Sequence, residues 1–155
     1  MSRELGEEIE LELSSLHELV DRYGHLLTGQ ASSPPGEERV LALAKILDCF
    51  YEGIENILKR IAVHVDGGSP AGSKWHADLL EAMAAPTLRR PAVISADLQK
   101  QLRRYLQFRH FSRHAYAFHL SWERMARLVH SCIAVLDMFE KELYQFLTRM
   151  EQRWE

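Results

Sequence analysis

Residues 108–118 read FRHFSRHAYAF, and the reading of the whole chain turns on whether this stretch is helical. Residues of an α-helix advance by about 100° each. With Leu98 set at zero, Leu102, Tyr105, Arg109, Ser112 and Tyr116 fall within about 40° of one line along such a helix. Upstream, Ser95 suits the N-cap and Asp97 the first turn. The spacing therefore predicts one helix running from Ser95 through the motif, with Arg109 and Tyr116 continuing an apolar stripe. His110 and His114 lie beside that stripe at about 120° to 160°, and Phe111 and Phe118 on the far side at about 200° to 220°. A charge on an apolar stripe is costly unless it is paired, or unless the stripe lines a cleft at that point. Arg109 is the anomaly that the rest of the chain has to explain.

Working outward, the flanking sequence is helical as well. After the motif, Met125, Leu128, Val129, Cys132, Val135, Leu136, Phe139, Leu143, Phe146, Leu147 and Met150 repeat at threes and fours, which predicts a long final helix over about residues 121–153. Before it, Pro86 and Pro91 make APTLRRPAVIS an extended connector. KWHADLLEAM reads as a short helix capped by Ser73, with Trp75, Leu79 and Met83 on one face. A second helix is predicted over about residues 35–65, buried through Leu43, Leu47, Phe50, Ile54, Ile57, Leu58 and Ile61 and stopped by DGGSPAGS. Its interior Gly53 points to a close helix crossing or a nearby ligand. The first helix takes about residues 2–27 through Leu5, Ile9, Leu13, Leu16, Leu19, Val20, Tyr23 and Leu26, and TGQASSPPGEE breaks it. No segment combines alternation with β-branched richness, so strands are not expected. The fold class is all-α, an antiparallel bundle of four main helices plus one short helix, forming a single domain over residues 1–155.

Composition narrows the functional classes. The chain has 155 residues, 46% of them hydrophobic, enough for a folded core. No apolar run reaches the length of a membrane span, and the acidic start MSRELGEEIELELSSL is unlike a secretory signal, so a cytoplasmic protein is expected. Cys49 and Cys132 stand far apart in apolar surroundings, which predicts two buried thiols and no disulfide. The net charge of -3 hides an asymmetry: residues 1–55 hold twelve acids against four bases, and residues 99–127 hold seven bases against Glu123 alone. Such a basic segment either attracts phosphates or pairs with the acidic one, inside the fold or across a dimer.

The two histidines of the motif also have to be weighed as metal ligands. His110 and His114 have the i, i+4 spacing that lets two imidazoles share a zinc. The glutamate of HExxH is missing, Arg109 and Arg113 flank the pair, and no carboxylate or cysteine within the motif completes a coordination shell. No metal site is expected there.

Arg109, four residues, His114, one residue, Tyr116 resembles the signature of the HEPN superfamily of helical-bundle ribonucleases, and within it of the HepT toxins. His110 supplies the polar residue usual after the arginine, and FYEGIENILKRIA, WHADLLEAM and RPAVIS look like a HepT-like branch. The resemblance implies an endoribonuclease that needs neither metal nor cofactor, a composite cleft at a two-fold homodimer interface, and a partner antitoxin that is a small nucleotidyltransferase transferring AMP onto the motif tyrosine, Tyr116.

The residues permit that chemistry. RNA cleavage without a metal needs a base for the 2′-hydroxyl proton, an acid for the leaving oxygen and a cation for the phosphorane. His114 fits the acid or base and Arg109 the phosphate clamp, with His110 or Arg113 as auxiliaries. Glu55, Asn56, His76 and Asp78 are further groups within possible reach, each equally readable as a packing or capping residue. One difficulty is geometric: residues 109 and 114 point about 140° apart on a straight helix. Either the helix loosens near Ser112 or a second subunit completes the site. A catalytically silent bundle that binds nucleotide, or that serves as the substrate-binding companion of a nucleotidyltransferase, uses the same basic patch, and a structural adaptor is a third reading.

Overall fold

The computed structural model describes residues 2–29 and 34–154. Among these residues five α-helices follow in order, α1 (Arg3–Leu27), α2 (Glu37–Val65), α3 (Trp75–Met83), α4 (Ala96–His114) and α5 (Trp122–Trp154), with a 3-10 turn at Ala117–His119 before the last. The protein is an all-α bundle, and no strand occurs among the described residues. Part of the predicted break between the first two helices, residues 30–33, lies outside the described residues.

Polar ties between helices fix their directions. Arg60 and Asn56 of α2 reach Glu12 of α1, while His64 reaches Glu8, so α1 and α2 are antiparallel. Tyr144 of α5 donates to Glu10 and His17 faces Glu140, so α5 runs against α1 as well. Ser112 of α4 meets Asp48 and Arg109 meets Glu52 and Glu55, which sets α4 against α2. Tyr105 of α4 donates to the carbonyl of Leu128 at 2.7 Å, and Ser95 is held by Glu142, so α4 and α5 are antiparallel too.

The core joins Ile9 and Leu13 of α1, Phe50 and Ile54 of α2, Leu79 and Met83 of α3, Leu102 and Tyr105 of α4, and Cys132 and Phe139 of α5. Gly53 is where α1 crosses α2 closely, since a Cβ there would stand 2.6 Å from Cδ2 of Leu16. No helix among the described residues is long and apolar enough to cross a membrane.

Several predicted details shift. Ser73 does not cap α3: the helix starts one residue later from Lys74, with no side-chain cap bond. Ser95 does cap α4, accepting the Leu98 N–H at 3.1 Å. Cys132 is buried as expected and its thiol is pushed up to about 12 by burial, but Cys49 is only half-buried.

The predicted helix through Tyr116 ends at His114, because Ala115 turns to extended backbone at φ -89°, ψ 146°. The physical reason is the chain reversal. Leu128 must return against Tyr105, so the turn has to be made between α4 and α5, inside residues 115–121. Tyr116 and Phe118 consequently leave the helix and are exposed instead of continuing its faces.

Candidate functional site

Arg109 sits where α4 presses on α2, with only 6% of its side chain exposed. The stripe that the spacing defined does carry it inward, beside buried Tyr105, Leu102 and Leu98. Three acids of α2 face this part of α4. Asp48, Glu52 and Glu55 follow at i, i+4 and i+7, which places them along one side of a helix. Asp48 accepts from Ser112 at 2.7 Å. Glu52 and Glu55 stand 3.6 Å and 3.8 Å from the Arg109 guanidinium.

Those two distances are ion pairs without hydrogen-bond contact, since an N–H to oxygen bond closes at about 2.7–3.2 Å. Arg109 Nε is buried and has no hydrogen-bond partner among the described residues, and the same holds for Oδ1 of Asp48. Burial pushes the Asp48 carboxyl above its ordinary value, while the Ser112 bond and the charges of Arg109 and Arg113 pull the other way. Burial also raises the Tyr51 hydroxyl, which feels both Glu55 and Arg109. A cation with unmatched donors among polar groups taken from water is an arrangement that lacks an acceptor.

Glu55 links this pocket to α3. Its carboxylate, 5% exposed, lies 2.7 Å from Nδ1 of His76. The His76 ring stacks on Trp75 with centroids 3.6 Å apart, and Lys59 lies over the Trp75 ring at 5.0 Å. Of the further residues weighed from the sequence, Glu55 and His76 do reach Arg109's surroundings. Asn56 turns instead to Glu12, and Asp78 is exposed.

A second cluster occupies the open end of α4. His110 and His114 lie one turn apart on its exposed side, with ring centroids 4.9 Å apart, and Arg113 is exposed beside them. Beyond the helix end, Tyr116 and Phe118 stack nearly parallel at 5.4 Å, and His119 packs edge-on against both. Phe111 is covered by the guanidinium of Arg124 at 4.3 Å. Among the described residues no group of three or more His, Cys, Asp or Glu could hold a metal.

The structure therefore does not bring Arg109 and His114 together within one chain. Arg109 faces α2, whereas His114 faces His110 and solvent. Loosening near Ser112 does not supply the missing turn, since α4 is unbroken from Ala96 to His114. Nor does Tyr116 lie along the Arg109 stripe. Asp48, Glu52 and Ser112 were not singled out from the sequence as site residues. Their signal was legible, because acids spaced i, i+4, i+7 sit on a helix whose neighbouring positions are apolar.

An all-helical bundle whose sequence matches a HepT-like profile over most of its length is a protein of the HEPN superfamily class. Within that class the chain belongs to the family described as HepT-like protein, whose profile matches residues 42–150 and so spans both clusters. No curated protein and no solved structure matches the chain.

Proposed function

We propose that the protein is the toxin of a toxin-antitoxin pair, an endoribonuclease that cuts RNA without a metal and is silenced when a nucleotidyltransferase antitoxin places AMP on Tyr116. The observation that carries this reading is the state of Arg109, a buried guanidinium with Nε unmatched and its carboxylates held off at 3.6 Å and 3.8 Å. A phosphate oxygen is the acceptor such a fork is shaped for. Glu52 is half-exposed and free to swing into water, which opens Arg109 to a phosphodiester while Glu55 stays with His76.

His114 serves as the acid or base, with His110 and Arg113 supporting it in the same exposed cluster. The stacked Tyr116 and Phe118 give unpaired bases an aromatic surface, which favours single-stranded RNA over duplex. Because Arg109 and His114 face different sides of α4, a homodimer supplies His114 of one copy to the cleft of the other. Tyr116 is exposed, as a hydroxyl that accepts a nucleotidyl group must be. An adenylate there sets a phosphate and a base beside the aromatic stack, where RNA would otherwise lie.

Purified protein free of antitoxin is expected to cut single-stranded RNA in EDTA, and His114→Ala to lower the rate by about 100-fold or more. Co-expression with the nucleotidyltransferase is expected to add the mass of AMP, lost in Tyr116→Phe. One observation favours a second reading, a silent nucleotide-binding companion of the transferase: Arg109 is covered by Glu52 and Glu55 and so could serve as an interhelix tie. Cleavage that persists unchanged in His114→Ala marks a contaminating nuclease and favours that companion.

A further inference from the structure

Transesterification of RNA moves two protons at two places. One leaves the 2′-oxygen as it attacks phosphorus, and one arrives at the 5′-oxygen as its bond to phosphorus breaks. His114 and its neighbour His110 form one exposed cluster on one side of α4, and Arg109 lies on another. The second proton needs a group on the Arg109 side.

We infer that His76, oriented by Glu55, is that group, the general acid that protonates the leaving 5′-oxygen while Arg109 holds the phosphate; this rests on the ribonuclease reading above. Among the described residues three imidazoles face a carboxylate, and one of those carboxylates is buried. Glu8 beside His64 is 30% exposed and Glu140 beside His17 is 20% exposed, whereas Glu55 beside His76 is 5% exposed. A buried carboxylate on one ring nitrogen fixes the ring's tautomer and orientation, which is what a positioned proton donor needs.

The same Glu55 carboxylate faces Arg109 Nη1 at 3.8 Å and His76 Nδ1 at 2.7 Å, so cation and imidazole share one anchor. Trp75 stacked on the ring at 3.6 Å restrains it further. With Nδ1 spent on Glu55, Nε2 lies on the side of the ring away from it, and the side chain remains partly open to solvent.

The 2′-oxygen bonds to phosphorus and gives its proton to His114 of the second copy. The bond from phosphorus to the 5′-oxygen breaks, and that oxygen takes the proton from Nε2 of His76. The products are a 2′,3′-cyclic phosphate and a 5′-hydroxyl, with no net uptake or release of protons. Glu55 touches no reacting atom and is a positioning residue.

The test uses two otherwise identical oligoribonucleotides, one with the natural linkage and one with sulfur in place of the bridging 5′-oxygen, whose thiolate leaves without a proton. His76→Ala is expected to cut the oxygen linkage about 100-fold more slowly and the sulfur linkage within about threefold of wild type. Glu55→Gln follows the same pattern at about a tenth of the size, and His114→Ala loses both substrates. His76→Gln keeps a hydrogen bond to Glu55 and replaces the alanine variant if that one does not fold. Equal losses on the two substrates, or no loss on oxygen, overturn the assignment of His76 alone. Wild-type protein that cuts neither substrate overturns the ribonuclease reading together with it.

Discussion

Two arginines among the described residues are buried, and they are buried differently. Arg90, in the connector between α3 and α4, has no exposed side-chain surface. Its Nε and Nη2 grip Asp66 at 2.7 Å and 2.9 Å, Nη1 donates to the carbonyls of Ala85 and Pro91, and Nη2 also reaches Ala82. Every N–H of that guanidinium has an acceptor. Arg109 is nearly as buried, yet it meets its carboxylates only at ion-pair distance and leaves Nε empty. The difference separates two uses of one residue type. A filled fork staples a loop, whereas the phosphate-binding role proposed for Arg109 would draw on donors that its own chain leaves short of acceptors.

The sharpest way to break the comparison is to remove each arginine in turn. Arg90→Ala strands Asp66 and three carbonyls, so chemical denaturation is expected to show a loss of about 3–5 kcal/mol. Arg109→Met keeps most of the side-chain volume and leaves Glu55 with His76. Its expected cost is about 1 kcal/mol or less, because few formed bonds are lost. Comparable losses in the two variants would mean that Arg109 is a staple too.

Asp48 offers a smaller test at the same seam. Its folded carboxyl is raised by burial, so the native state binds that proton more tightly than the unfolded chain does. The native state is therefore not penalised below the ordinary value of 3.8, and it loses stability as pH rises from there through the raised value. Asp48→Asn is expected to flatten that part of the stability curve and to gain on wild type at neutral pH. A variant with the wild-type slope would show that the Ser112 bond and the charges of Arg109, Arg113 and Lys45 outweigh burial.

Much of this seam was legible before the fold was known. The 3.6-residue repeat of Leu98, Leu102 and Tyr105 put Arg109 on the buried side of its helix, and it is there. Gly53 announced a close crossing, and Leu16 occupies it. The cap at Ser95 was readable because a serine hydroxyl ahead of an apolar run accepts a local N–H.

What periodicity could not locate was the end of α4. The residues AYAF continue the helical spacing, and only the need for α5 to fold back on Tyr105 stops the helix at His114. Partners from distant segments were likewise invisible. Nothing local to WHADLLEAM says that His76 will meet Glu55, twenty-one residues earlier. The acidic and basic segments do pair, through Arg109 with Glu52 and Glu55, but incompletely. That incompleteness shows only in distances.

The central claim is that Arg109 is held for a phosphate at the expense of its own hydrogen bonding. Its most direct test measures two quantities on one pair of proteins: the unfolding free energy, and the rate of cleavage of single-stranded RNA in EDTA, for wild type and Arg109→Met. Loss of cleavage by about 100-fold or more with stability within about 1 kcal/mol of wild type is the predicted result. Full cleavage by the variant, or a loss of activity accompanied by a loss of stability as large as that of Arg90→Ala, would contradict it.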